Sequence, residues 1–168
     1  MKQLKTLLLA TVVCLGTISF SQAQSKVAHI NVQELISAMP EMKNVQSELE
    51  TLSKTLQTSI QDMVVELQNK TNQYEAEAPT KTQEENNKRG QELQTMEQNI
   101  MQYRDNAGQE FQQKQQDLMK PITEKARTAI LKVSRAQGFD YVLDSSSGVT
   151  ILADGKNLLD DVKKELGI

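Results

Sequence analysis

The side chains that could support chemistry in this sequence are few, and His29 is the first of them. It is the only histidine in the chain, and the alternating apolar residues around it predict a β-strand. No cysteine and no pair of carboxylates stands nearby in the sequence. A zinc site or a histidine-based proton relay needs such further members. A surface or interface position for His29 is therefore favoured over a catalytic one.

The glycines and aspartates near the C-terminus match no binding motif. Gly148 and Gly155, the latter followed by Lys156, miss the spacing of a phosphate-binding loop and lack its Ser or Thr. Five aspartates of this region lack the spacing of a calcium loop, and turn and cap roles explain them: Asp140, Asp144, Asp154, Asp160 and Asp161. The sequence predicts no catalytic residue, no cofactor and no metal, and an enzyme is the least supported class.

Two long amphipathic helices are predicted between residues 42 and 137. Apolar residues recur there every three or four positions, which places them on one stripe of each helix. The stripe of the first arm consists of Met42, Val45, Leu49, Leu52, Leu56, Ile60, Val64, Leu67, Thr71 and Tyr74. The stripe of the second arm, interrupted at Lys114 or Gln115, consists of Leu93, Met96, Ile100, Tyr103, Ala107, Phe111, Leu118, Ile122, Ala126, Ile130 and Val133.

The two helices are predicted to fold back on each other as a hairpin whose tip lies near residues 77–82. Pro79 disfavours a helical conformation at the residue before it. Thr82 and Glu85 have the spacing of a capping box, which begins the second helix. Pro121 is expected to bend that helix without ending it, because the apolar period continues past the proline.

Gly138 stands where a glycine commonly ends a helix, so the second arm is expected to end there. The chain then divides into four parts: a signal peptide at 1–23, a head segment at 24–40, the arms at 41–137, and a second head segment at 138–168. The predicted fold class is α+β and mostly α, with a long antiparallel hairpin on a small β head.

The head is predicted to contain three short strands, at residues 26–32, 139–144 and 149–152, and a last helix capped by Asn157. Because the hairpin returns the chain to its start, all three strands should lie at its open end. Three short strands leave exposed edges, which copies of the same chain can pair. The residues expected in such shared strands are Ala28, Ile30, Val32, Val142, Leu143 and Ile151.

Residues 1–23 resemble a cleaved secretory signal, with two lysines, an apolar run and a small-x-small site before Gln24. Their removal takes away the only cysteine, Cys14, and changes the formal net charge from −3 to −5. Lipid attachment at Cys14 is not favoured, because Val13 precedes it and the apolar run continues. An acidic surface argues against nucleic acid as the main partner, and a mature chain without Trp needs oligomerisation to bury a sizeable core.

The apolar stripe also offers a surface for irregular apolar partners. Its methionines are flexible and polarizable, although for any single methionine the favoured role is to fill the seam between the two arms. If arms from several chains separate, their inner faces enclose a cavity. The residues expected to face a bound polypeptide are Met63, Leu67, Tyr74, Met96, Ile100, Met101, Tyr103 and Phe111.

The order of these features resembles the Skp/OmpH family of periplasmic chaperones. The specific segments are Lys-Val-Ala-His-Ile-Asn-Val leading into Gln-Glu-Leu-Ile-Ser-Ala-Met-Pro at 26–40, and Gly-Phe-Asp-Tyr-Val-Leu-Asp at 138–144. A polar helical hairpin joins them, and the resemblance covers essentially the whole mature chain. The arms match only in character.

The resemblance implies a homotrimer in which strands of three chains form a small barrel and the arms project as tentacles. It implies ATP-independent holding of unfolded outer-membrane proteins in the cavity between the arms, in the periplasm. This chain departs from the family's strongly basic arms, so its charge does not favour contact with lipopolysaccharide or the membrane.

An exported coiled-coil spacer or adaptor between envelope components is the alternative. A dedicated coiled coil prefers Leu, Ile or Val at nearly every core position. Thr71, Ala107 and several methionines interrupt the stripe here, which favours loose arms.

Overall fold

Two long helices and a small parallel sheet make up the protein. The computed structural model describes residues 25–148, 150 and 152–168. In chain order, its elements are β1 (Val27–Ile30), α1 (Val32–Ala38), α2 (Glu41–Glu77), α3 (Gln83–Ala136), β2 (Tyr141–Asp144), β3 (Lys156–Asn157) and α4 (Leu159–Leu166). This arrangement confirms the predicted fold class of a helical hairpin on a small β head.

Helices α2 and α3, of 37 and 54 residues, form the antiparallel hairpin. At about 1.5 Å per residue, α2 alone extends roughly 55 Å. Ion pairs between the helices follow the antiparallel order, with Glu48 bonded to Lys114 near the middle and Glu41 to Lys125 near the base. α3 continues through Pro121, as predicted from the apolar period.

The tip of the hairpin is held by local capping bonds. A single 3₁₀ turn at Ala78–Thr80 follows α2. The Thr82 hydroxyl accepts a hydrogen bond from the Glu85 backbone N–H, and the Glu85 carboxylate accepts one from the Thr82 backbone N–H, at 3.2 and 2.9 Å. These reciprocal bonds confirm the predicted capping box and satisfy backbone donors that the first turn of a helix leaves free.

Two glycines inside α3 offer a simple test of helix propensity. A Cβ atom added at Gly90 or Gly108 would meet nothing within 4 Å. Since glycine is about 1 kcal/mol less favourable than alanine in a helix interior, Gly108→Ala should raise the free energy of unfolding by about 1 kcal/mol. Urea unfolding followed by circular dichroism measures it, with the exposed Gln109→Ala as control. A destabilised Gly108→Ala would contradict this view of the arm.

At its base, α3 ends at Ala136, two residues before the predicted glycine. Gly138 has a φ of 72°, a left-handed conformation that glycine adopts without strain. The Gly138 N–H donates to the Arg135 carbonyl, and the Phe139 N–H donates to the Ser134 carbonyl at 3.0 Å. Both bonds satisfy carbonyls that the last turn would otherwise leave unpaired.

The head sheet has the strand order β2-β1-β3, and both pairings of β1 are parallel. Two predicted details of it are wrong. The first strand ends at Ile30, because the Asn31 side chain accepts a hydrogen bond from the Glu34 N–H and begins α1, so Val32 is helical. The third strand is Lys156–Asn157, and Leu152 belongs to no strand. Val149 and Ile151, which were predicted for that strand, lie outside the described residues.

The hydrophobic core lies on one side of this sheet. Ala28 and Ile30 of β1 are 1% exposed and point toward the helices. The core then continues through α1, the base of the hairpin and the start of α4: Leu35, Ile36, Met39, Val45, Ile122, Ala126, Ala129, Val133, Leu158, Leu159 and Val162. Asn157 was predicted to cap α4, but the N-cap residue is Leu158; the Asn157 side chain accepts a hydrogen bond from the Leu159 N–H at 2.9 Å. One small core therefore joins the sheet to the base of both arms.

Candidate functional site

The apolar stripes of the two arms meet in a seam within one hairpin. Leu56, Ile100 and Ala107 are buried there. Of the residues predicted to face a bound polypeptide, Ile100 is only 5% exposed and Met101 is 57% exposed. The other six are half-buried: Met63, Leu67, Tyr74, Met96, Tyr103 and Phe111. The seam therefore offers apolar surface along most of its length while keeping Ile100 inside.

Two cavities interrupt the packing of this seam. One, of about 230 Å³, is lined by Met63, Met96 and Ile100 together with polar side chains. The other, of about 450 Å³, lies nearer the base, where Ala107 and Gly108 have little or no side chain. Small residues on one helix opposite Leu56 on the other leave this space unfilled. The seam is therefore incompletely packed in the middle of the arms.

Near the tip, a polar cluster joins the two arms. Lys70 and Glu92 form an ion pair, and the Tyr74 hydroxyl donates to Glu92 Oε2 at 2.6 Å. The Arg89 guanidinium bonds Glu77 at 2.5 Å and lies 4.5 Å from the centre of the Tyr74 ring. Hydrogen bonds donated by Lys70 and Tyr74 lower the pKa of the Glu92 carboxyl. The same bonds raise the pKa of Tyr74 and of Lys70. The Tyr74 side chain is therefore held at the tip by its contacts with Glu92 and Arg89.

One face of the head sheet carries exposed apolar side chains. Val27 on β1 and Tyr141 on β2 are paired in register, as are His29 and Leu143. Because side chains alternate along a strand, these four share the face opposite Ala28 and Ile30. Val27, Tyr141 and Leu143 are 42, 61 and 44% exposed. We call these four residues, Val27, His29, Tyr141 and Leu143, the open sheet face.

The residues predicted for strands shared between copies lie mainly on the covered side of the sheet. Ala28 and Ile30 are buried in the chain's own core, and Val142 is half-buried beside them. Of the described residues that were expected in shared strands, only Leu143 lies on the open sheet face. The alternation along β1 and β2 places Val27 and Tyr141 on the open sheet face once the helices are known to cover Ala28.

The described part of the chain contains no cluster of His, Cys, Asp or Glu that could hold a metal ion. None of its helices combines the length and the apolar character needed to cross a membrane. The predicted signal peptide lies outside the described residues.

Comparisons with known proteins agree with the fold. Residues 26–166 match the model of the family described as outer membrane protein (OmpH-like). The chaperone protein Skp of Pectobacterium atrosepticum is 25% identical over 152 residues, covering 86% of this chain and 87% of the relative. Skp of Photorhabdus laumondii is 25% identical over 153 residues, covering 87% and 88%.

A solved structure has the same fold. It is described as an outer membrane chaperone (OmpH-like) from Caulobacter crescentus CB15, and it superimposes with a TM-score of 0.73 at 18% identity, covering 86% of this chain and 85% of that one. The matched region runs from the strand that contains His29 to the last turn of α4. Since the family model matches nearly the whole described chain and both relatives are Skp chaperones, this chain belongs to the family described as outer membrane protein (OmpH-like).

Proposed function

We propose that this chain is a periplasmic holdase chaperone that binds unfolded outer-membrane proteins without ATP and prevents their aggregation. It is exported by a cleaved signal at 1–23 and acts as a homotrimer whose arms enclose the client. Membership of the OmpH-like family and the names of the Skp relatives support this role. One observation carries the proposal. The apolar seam between α2 and the 54-residue α3 is half-exposed and incompletely packed along most of its length.

The physical reason lies in what an unfolded membrane protein offers. Its apolar segments have no single shape, so a surface that binds them must be apolar, adaptable and free of strong directional bonds. Flexible methionine side chains beside cavities meet this requirement, and Met63 and Met96 line such a cavity. Glutamine, lysine and glutamate on the outer faces keep the empty arms in solution. Because Ile100 is buried between α2 and α3, a client could contact it only after these two helices separate.

The open edge and the apolar groove of the head support the homotrimer in this proposal. The sheet has three short strands, and the outer edge of β2 has no strand partner among the described residues. A groove of about 390 Å³ lies beside that edge, lined by apolar side chains that include Leu131 and Phe139. Unpaired edges and open apolar faces are features that oligomers cover. Three chains joined here would point their arms in a common direction and enclose a space.

The proposal predicts a measurable holdase activity. An outer-membrane β-barrel protein, diluted from urea into buffer without ATP, should remain soluble when the secreted chain is present at stoichiometric amounts. Light scattering measures the aggregation. Met101→Gln should weaken client binding about fivefold, because about 1 kcal/mol of apolar contact is lost. The neighbouring Gln102→Asn is the matched control. Aggregation that continues unchanged at stoichiometric chaperone would refute the holdase role.

An exported coiled-coil spacer remains the second candidate, and burial of Leu56, Ile100 and Ala107 within the hairpin favours it. A spacer joins defined envelope components through one stable interface. It would be recovered with a single stoichiometric partner in a pull-down and would not protect unrelated unfolded barrels. The aggregation assay with two dissimilar clients separates the two functions.

A further inference from the structure

A groove in the middle of the hairpin has apolar walls and opens to solvent while the two arms stay together. It is the cavity of about 450 Å³ beside Gly108, and we call it the arm groove. Its apolar walls are Leu56, Ile60 and Val64 of α2 and Phe111 of α3. A Cβ atom placed at Gly108 would meet nothing within 4 Å. Since a cavity of about 150 Å³ already holds a benzene ring, the arm groove has room for an aromatic side chain.

Arg104 is the one charged side chain among the residues that line the arm groove. It is exposed, and it forms no ion pair with any residue that the structure describes. Other cations along the seam each form an ion pair with a carboxylate of the opposite arm: Lys70 with Glu92, Arg89 with Glu77 and Lys114 with Glu48. The guanidinium of Arg104 is therefore available to an acceptor from outside the chain.

The sequence of both arms explains why Arg104 lacks such a partner. Within a helix, an ion pair needs a carboxylate three or four positions away. At those positions from Arg104 the chain has no acidic residue: Ile100, Met101, Ala107 and Gly108. Across the groove, α2 presents the amides of Gln57 and Gln61. No change of rotamer within this helical turn would therefore bring a carboxylate to the guanidinium.

The surface around Arg104 is otherwise acidic. Residues 50–69 and 90–113, the middle of the two arms, contain seven acidic side chains and two basic ones, Lys54 and Arg104. Lys54 does not line the arm groove. A carboxylate that approaches the middle of the arms is therefore repelled at most places and attracted at the groove, where a guanidinium can bind it with two parallel hydrogen bonds. The arm groove thus complements a ligand that joins an apolar group to a carboxylate.

The spacing within the groove fits an extended polypeptide. From Arg104 to Gly108, α3 rises about 6 Å. In an extended chain, side chains two residues apart point to the same side and lie about 7 Å apart. A segment of this kind can direct a carboxylate to Arg104 and an aromatic ring into the space beside Gly108. The ring would contact Leu56 and Phe111 there, with aromatic packing against Phe111.

We propose that the arm groove is a client subsite for an extended segment in which a carboxylate lies two residues from an aromatic side chain. The carboxylate binds Arg104, and the ring fills the space beside Gly108. The inference rests on the holdase role of the proposed function and names one kind of segment that the arms select. Unlike contact at Ile100, binding here leaves α2 and α3 packed against each other.

Fluorescence anisotropy of short labelled peptides, titrated with the secreted full chain, tests this subsite. The first peptide carries Phe-Ser-Glu-Ser-Phe, which presents the same spacing in either chain direction. The second has Gln in place of Glu, and the third has Ala in place of both Phe. The Glu peptide should bind about three- to fivefold more tightly than the Gln peptide, as expected for a partly exposed ion pair. The Ala peptide should bind more weakly than either.

Two variants test whether Arg104 causes the preference. Arg104→Gln should bind the Glu and Gln peptides equally. Gly108→Glu places a carboxylate four residues from Arg104, so it should also abolish the preference by occupying the guanidinium within the helix. Lys54→Gln is the matched control, because it removes the same charge from an exposed position outside the groove and should keep the wild-type preference. Circular dichroism checks that each variant remains helical.

The outcomes separate this subsite from the holdase role. Equal binding of the Glu and Gln peptides by the wild type, no binding of either peptide, or a preference that survives in both Arg104→Gln and Gly108→Glu would overturn the subsite. If an unfolded barrel protein is still kept soluble in those cases, the proposed function stands without it. A preference that both variants abolish and Lys54→Gln retains supports the inference.

Discussion

Leu35→Ala is expected to lower the free energy of unfolding by about 2–5 kcal/mol, the range for a leucine removed from a well-packed core. Leu35 in α1 is 0% exposed, and it packs in the one cluster that joins the sheet to the base of the arms. That cluster is small, so few neighbouring side chains can repack into the cavity that the substitution leaves. Loss of the head should also separate the chains of the proposed homotrimer, because the strands lose the support of the helices behind them.

Urea unfolding followed by circular dichroism, together with mass in solution, measures both effects. Ser37→Ala is the matched control, since Ser37 lies in the same short helix and is exposed. It should change stability by less than about 0.5 kcal/mol. A Leu35→Ala protein that unfolds at the wild-type urea concentration would show that the head core does not hold the molecule together.

Ile100→Ala is expected to cost about 2–3 kcal/mol, toward the lower end of the range for large-to-small core substitutions. Ile100 is 5% exposed between the arms, but it borders a cavity that already exists, so some of its contacts are missing in the wild type. Unlike Leu35→Ala, this change should act on the arms and leave the head intact. Amide hydrogen exchange should accelerate in the middle of α2 and α3 and stay unchanged in β1.

Gln102→Ala is the control, because Gln102 is exposed on the same helix and does not belong to the apolar stripe. The pair of variants also separates two roles. If Ile100 stabilises the seam, Ile100→Ala should change the rate of amide hydrogen exchange in α2 and α3 more than it changes client binding. If Ile100→Ala weakens client binding while exchange in the arms stays at the wild-type rate, then Ile100 contacts the client directly and the arms open more readily than their packing indicates.

The features predicted correctly from the sequence are those that depend on neighbours within one or two turns. The capping box at Thr82 and the glycine end at Gly138 each involve residues no more than about five positions apart. The continuity of α3 through Pro121 followed from a period that repeats on both sides of the proline. Such local patterns persist because tertiary contacts in a long exposed hairpin are too few to override them.

Details of the head depended on partners far away in the chain. Alternation in β1 predicted two faces, but only the packing of α1, α3 and α4 decided that Ala28 and Ile30 lie inside and Val27 and His29 outside. Val32 fits a strand by pattern, yet the Asn31 side chain begins a helix there. The same holds for the candidate client-binding seam. Its apolar stripe was visible in the sequence, whereas the burial of Ile100 depends on packing between the two helices.

The sequence by itself determined a long polar hairpin with an apolar stripe, a capping box at the start of α3 and short flanking strands, since periodicity and capping are local properties. Only the tertiary structure decided the parallel pairing of β1 with two strands more than 100 residues away, the strand at Lys156–Asn157, and the face left open around His29. Backbone hydrogen bonds of a sheet and the covering of its faces are made between distant segments, and no local pattern specifies which segments those are.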